Sequence, residues 1–321
     1  MRIDPELRAL RGDPASQRNA QFALERVRDD WRAGEAADAL RELDAYGEGA
    51  RLRDCPALDA LFGEGEDARR LVAALVQPML ACLARNPLGQ VPIRHQHSDG
   101  LSVLQLAHSG RAALSLLMYT ELGASEANSA CFAGGERHET VLAGSADVRF
   151  LELLEERSES AAIDCTIRRV VAGEIMRFSG HNHTKSIVRV HGRMVVLRLS
   201  RTDEVPCEAR EYALDDGRLL HRASGSRHES GREMKAALLG RMGRRDAAPV
   251  LARLTREGSD HARWQALREC LALDSGLGFA ALTRMASDPG DPLAATAGAL
   301  RAQLLETYPQ LAGQELAACP A

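Results

Sequence analysis

Three stretches of the chain carry different hydrophobic periods. In Ala15–Trp31, the apolar Phe22, Leu24, Val27 and Trp31 recur near a helical spacing with charges between them. Gly34–Tyr46 is a second amphipathic stretch and Asp67–Arg85 a third, with Pro78 as an expected kink and a stop before Asn86-Pro87. Residues 1–88 therefore read as a helical block. From Val91 the period shortens. Ser102–Leu106, Ala112–Tyr119, Thr140–Leu142, Ala161–Val171, Ile187–Val190 and Met194–Leu199 read as strands. Expected turns lie at Ser109-Gly110, Gly134-Gly135, Ala172-Gly173, His191-Gly192 and Asp215-Asp216-Gly217. From Gly231 the helical period returns in short amphipathic runs: Met234–Met242, Ala247–Arg256, His261–Ala272, Gly278–Ala286 and Pro292–Tyr308.

Composition narrows the picture. The 321 residues are 45% hydrophobic and 27% charged, an ordinary globular balance. A net charge of -4 gives no bulk case for nucleic acid, and no apolar run approaches the roughly 20 residues of a membrane span. Met1–Asp13 is charged and lacks the apolar core of a secretory leader. The seven cysteines form no CxxC pair, as expected of reduced thiols. The expectation is a soluble cytoplasmic protein without nucleic-acid or membrane partners.

Histidine changes the picture most. Nine of the ten histidines fall between Val91 and Ser230. Two H-x-H pairs, His95-Gln96-His97 and His181-Asn182-His183, would each present two imidazoles to one side of a strand. Each pair has a lone histidine further on: His138 after a Gly-Gly turn, and His221 after Asp216-Gly217. The flanks Ser102–Arg111 and Ser186–Arg193 align with a two-residue gap, which reads as an internal duplication. Two copies, residues 89–158 and 159–230, would be two small jelly rolls or the halves of one sandwich. No GxSxG, Walker or G-x-G-x-x-G motif is present.

On these residues the central segment resembles a cupin, a double-stranded β-helix. The second copy, His181-Asn182-His183-Thr184-Lys185-Ser186 with Leu220-His221-Arg222, is similar to the metal strands of cysteine-dioxygenase-type cupins. The resemblance implies His181, His183 and His221 as three ligands of Fe(II) or another divalent metal. His95, His97 and His138 would be the second set. The glutamate usual in the motif is absent, since Leu101, Ser102, Ile187 and Val188 stand there. Arg168, Arg169 and Arg177 are candidate anchors for a substrate carboxylate. LGRMGRRDAAPVLARL, RWQALRECLALD and FAALTRMASDP resemble HEAT-type helical repeats with a period near 40 residues.

The expected architecture is thus α+β and multidomain. It comprises a helical block (1–88), a cupin-like β-sandwich (89–230) and a HEAT-like helical array (231–321). Two functions follow from it. One is an iron-dependent dioxygenase acting on a small molecule or a peptide. The other is a non-enzymatic, degenerate cupin whose helical repeats serve as a protein-interaction or dimerisation module.

Overall fold

The structure is a computed structural model that describes residues 14–121, 128–205 and 207–312. Met1–Asp13 and Cys319 lie outside them. The chain divides into two compact units: Met1–Val205 with Glu211–Leu220, and Pro206–Arg210 with His221–Ala321. The N-terminal helices and most of the strands share the first unit.

That unit opens with α1 (Ala15–Ala33), α2 (Ala37–Glu48), the short α3 (Pro56–Ala60) and α4 (Asp67–Arg85). Their buried positions follow the helical period: Ala20 and Leu24 on α1, Ala39 and Leu43 on α2, Leu71, Leu75, Met79 and Cys82 on α4. Trp31 donates its indole N–H to the Leu71 carbonyl at 3.0 Å, which ties α1 to α4. Pro78 sits inside α4 without ending it. The helix stops where expected, and the Asn86 side chain donates to the Cys82 carbonyl there at 2.9 Å.

The strands are β1 (Arg94–Ser98), β2 (Leu101–Ser109), β3 (Ala112–Thr120), β4 (Ser129–Phe132), β5 (Glu136–Glu156), β6 (Ala161–Val171), β7 (Ile175–Ser179), β8 (His183–Arg201), β9 (Ala209–Ala213) and β10 (Leu219–Ala223). Seven form one antiparallel sheet in the order β1-β2-β3-β8-β5-β6, with β7 also pairing β5. A three-stranded sheet has the order β10-β9-β4. The two expected copies do not form separate sheets. β8, from the second half, inserts between β3 and β5 of the first half. The likeness of their flanks therefore marks strands of one sheet.

The sheet has two different faces. Leu106, Leu114, Leu142, Leu197 and Leu199 pack with α1–α4 in one core, which defines the helix face. Leu117, Tyr119, Val141, Val148, Val170, Met176, Phe178, Met194 and Val196 form a second core to which no helix contributes among the described residues. Met194 and Val196 are nonetheless fully buried. The sheet must curl over this inner face to cover them, as twisted antiparallel sheets do when they close on themselves.

His191-Gly192, expected to be a turn, lies within the continuous β8. Gly192 has a positive φ of 79°, and the register jumps opposite it, from Ala143↔Val195 to Ser145↔His191. The extra residues make a bulge that bends the strand. Gly144 faces this bulge with φ 78°, and a Cβ there would meet the Arg193 carbonyl oxygen at 1.8 Å. The β1–β2 hairpin turns through Asp99-Gly100, both at positive φ (42° and 76°), as a tight two-residue turn demands.

The second unit carries α5 (Arg227–Arg241), α6 (Ala248–Leu254), α7 (Asp260–Leu273), α8 (Ser275–Ala286) and α9 (Ala294–Thr307). Ser226, Ser259 and Asp274 cap α5, α7 and α8 through their side-chain oxygens. Neighbouring helices pack in sequence, α7 against α8 and α8 against α9. Alternate helices begin at residues 227, 260 and 294, a shorter interval than the expected period near 40 residues. No described helix is long and apolar enough to cross a membrane.

Gly144→Ala should lower the stability of the first unit by more than about 1 kcal/mol, since both φ and the Arg193 carbonyl oppose a side chain. Gly192→Ala, where nothing lies within 4 Å, should cost less. Urea unfolding of both variants tests the order, and equal midpoints would contradict the close approach.

Candidate active site on the inner face of the sheet

Alternation along each strand decides which side chains reach the inner face. On β5 these are Arg137, Glu139 and Val141, then, beyond the register jump, Val148, Phe150 and Glu152. On β8 they are His183, Lys185 and Ile187, and further on Val196 and Arg198. Glu139 pairs across the strands with Arg198 on one side and Met176 on the other. Charged residues thus stand in line with buried apolar ones.

Glu139 is fully buried and both its oxygens are used. Arg198 donates Nε–H to Oε1 at 2.7 Å, and Lys185 donates from Nζ to Oε2. Arg198 also donates to the Tyr119 hydroxyl at 3.2 Å. Lys185 lies against Met176 Sδ at 3.8 Å and over the Phe178 ring at 5.9 Å. Burial alone would push the Glu139 carboxyl up. The charges of Arg198 and Lys185, with their hydrogen bonds, outweigh that and hold it below the usual carboxylate range. Burial pulls the Lys185 ammonium down from its ordinary value despite Glu139, and pushes the Tyr119 hydroxyl up. Glu139 holds the lysine in place through this ion pair.

Beside this network a cavity of about 310 Å³ opens among β5, β6, β7 and β8. Phe150, Met176 and Phe178 supply its apolar wall, and Glu152, Asp164, Thr166 and His183 its polar one. Phe150 and Phe178 stack with centroids 6.2 Å apart. The cavity and the charged network share Met176 and Phe178. Polar and charged side chains thus line more of this cavity than apolar ones, with the two phenylalanines and Met176 gathered on one wall.

The expected arginine anchors part company. Arg168 lies over the Phe150 ring at 4.6 Å, lines the cavity and pairs with Glu174. Arg169, its neighbour in sequence, points the other way and pairs with Asp147 at 3.1 Å. Arg177 borders the cavity, but its guanidinium donates to the Phe62 carbonyl at 3.0 Å on the helix side.

The histidines lie mostly elsewhere. His95 and His97 sit on β1, at the sheet's edge, opposite Leu104 and Ser102. Leu104 packs with the helix core, so both imidazoles belong to the helix face. His95 Nδ1 is 3.1 Å from the Ile93 carbonyl oxygen, and His97 Nδ1 is 2.9 Å from Ser102 Oγ. His138 is also on the helix face, its ring 6.1 Å from that of Phe62 and its buried Nδ1 without a hydrogen-bond partner. β2, β3 and β8 separate it from β1. The structure does not bring His95, His97 and His138 together. In the other set, His181 lies in the bend after Gly180, outside any strand, and His183 opens β8. His183 Nε2 is 3.4 Å from Glu152 Oε1. His221 is on β10 and belongs to the second unit.

A three-histidine iron centre needs three imidazole nitrogens near one point, each about 2.1 Å from the ion. Among the described residues of the first unit, no three His, Cys, Asp or Glu ligand atoms lie within 4.8 Å of one another. The donors on this sheet do not fit such a centre. The buried polar groups of the inner face are instead those of the Glu139 network. That network is visible in the sequence as misplaced charge: Glu139 two residues before Val141, and Arg198 two after Val196, break apolar faces.

No protein-family model matches the chain, and no curated protein matches it. Solved structures do. A cupin superfamily protein from Desulfitobacterium hafniense is similar at 17% identity over 34% of this chain and 83% of that one, with a TM-score of 0.24. An RmlC-like cupin from Shewanella frigidimarina is similar at 9% identity over 35% and 86%, with a TM-score of 0.25. The polyketide cyclase RemF from Streptomyces resistomycificus is similar at 14% identity over 39% and 84%, with a TM-score of 0.27. Each likeness covers little more than a third of the chain and extends to no activity.

Glu139→Gln should destabilise the protein by about 3–5 kcal/mol, because it leaves Lys185 and Arg198 buried without their carboxylate. The lost partner lowers the Lys185 pKa further. The unfolded variant then holds the extra proton between that value and 10.5, so its stability should rise as pH rises through this window. Native Glu139, with its depressed pKa, contributes stability above 4.5 that is lost as pH falls through its folded value. Urea titrations from acid to alkaline pH check both signs.

Proposed function

We propose that the β-rich part of the chain is a cupin-like domain that binds a small organic molecule on the inner face of its sheet. One observation carries this reading: the cavity of about 310 Å³ opens beside the buried charges of the same face. Phe150, Met176 and Phe178 would hold an apolar or planar portion of the ligand by contact and dispersion. Thr166, Asp164 and His183 supply polar partners that fix its orientation. The helical layer on the opposite face stiffens the sheet through Thr140 and Arg69. Thr140 Oγ1 donates to the Leu61 carbonyl at 2.9 Å and Arg69 Nε–H to the Leu142 carbonyl at 3.0 Å. Those contacts hold β5 where it pairs with β7, one wall of the cavity, and preorganisation of this kind favours tight binding.

The chemistry this face can offer is acid–base rather than three-histidine iron chemistry. Lys185, held by Glu139, and Tyr119, held by Arg198, are the candidate proton carriers.

Thr166→Trp places an indole where the cavity opens and should abolish binding while leaving the buried cores intact. Ligand-observed NMR with a set of neutral aromatic fragments, on native protein and variant, tests it. Fragments that bind both proteins equally would place the site elsewhere.

A further inference from the structure

Three cations gather around one carboxylate on the inner face. Lys185 and Arg198 occupy the two oxygens of Glu139. Arg137, one turn of the pleat away, has no carboxylate within 4.0 Å among the described residues. It donates to the His183 backbone carbonyl at 3.2 Å and lies over the Phe178 ring at 5.2 Å. A guanidinium carries five N–H donors in a planar fork, and that contact leaves most of this fork unused. Arg198 keeps a quarter of its side chain exposed. Burial and the positive charge of Arg198 both pull Arg137 down from the ordinary arginine value. Like charges in a half-buried place repel more strongly than in water, and an anion between them removes that cost.

We propose that Arg137 and Arg198 form an oxyanion site, taking the carboxylate or phosphomonoester of a small ligand. Phe178 stands between this site and the aromatic cavity, touching both. The ligand is then an acid with an apolar or planar body. Glu139 is a positioning residue in this scheme: it sets the angle of Arg198 and keeps Lys185 from competing for the anion. The inference rests on the reading that the inner face holds a ligand, and its test is separable from the test of the cavity.

Inorganic phosphate and succinate are the probes, with glycerol as the neutral control at matched ionic strength. Isothermal titration of the full chain should show saturable binding of at least one anion and none of glycerol. Tighter phosphate would point to a phosphomonoester, and tighter succinate to a carboxylate. Arg137→Gln should weaken the anion at least tenfold. Arg169→Gln, on the other side of β6 and paired with Asp147, should leave it unchanged. Thr166→Trp should keep anion binding while it loses the fragments. Phenylglyoxal labelling of the native protein, mapped by mass spectrometry, gives a readout free of folding effects. Arg137 should be modified without an anion and protected by whichever of the two probes binds. No saturable anion binding, equal binding by Arg137→Gln, or no protection at Arg137 would each overturn the proposal. Fragment binding that persists in any of those cases leaves the cavity reading standing.

Discussion

A carboxylate shielded from water holds two cations at the centre of this sheet. Glu139 is reached by Arg198 from β8 on one side and by Lys185, further along the same strand, on the other. Each charge alone would be costly to bury, and removing one partner exposes that cost in full. The arrangement therefore constrains more than local packing. It fixes the pairing of β5 with β8, because a slip of one residue would send Glu139 to the helix face and leave both cations unpaired. It also fixes which side of the sheet is polar. The apolar core of Val141, Met194 and Val196 can close around the network because every oxygen of the carboxylate is already satisfied.

The two faces of the sheet consequently do different work. On one, leucines from β2, β3, β5 and β8 meet α1–α4, and polar groups such as Thr140 and Arg177 tie strands to the Leu61 and Phe62 carbonyls. Near them, Arg201 bonds Glu136 and the Tyr46 carbonyl and lies 4.0 Å over the Tyr46 ring, which clamps α2 to the ends of β5 and β8. The other face, to which no described helix contributes, keeps charge, aromatic rings and open volume. A rigid layer on one side allows a cavity on the other, since the strands that border it are held from behind.

Much of this is legible in the chain and some is not. Helical spacing finds α1, α2 and α4 almost to their ends, because their buried residues recur every three or four positions. The strong strands appear as runs of Val, Ile and Leu, yet β5 is 21 residues long where only Thr140–Leu142 stands out. Its central position, paired on both sides, admits charges that a composition-based reading takes for loop. Gly192 misleads because glycine serves turns and bulges alike, and only the register of the partner strand separates them. The histidines mislead more deeply. An H-x-H pair says that two imidazoles share a side if the segment is a strand, but not which side. For His95 and His97 the side is set by Leu104, a residue on the next strand. For His181 the premise fails, because the chain bends there. Glu139 and Arg198, by contrast, stand out as charges within apolar alternation, beside Val141 and Val196.

The exposed strand β1 brings one further consequence. It is the last strand of the seven-stranded sheet, so among the described residues one side of its backbone has no partner strand. Its five residues, Arg94, His95, Gln96, His97 and Ser98, are all polar and all exposed. A bare edge of apolar strand invites pairing with the edge of another molecule, and from there aggregation. The polar residues of β1 thus make a poor adhesive, which disfavours growth of the sheet by edge-to-edge pairing.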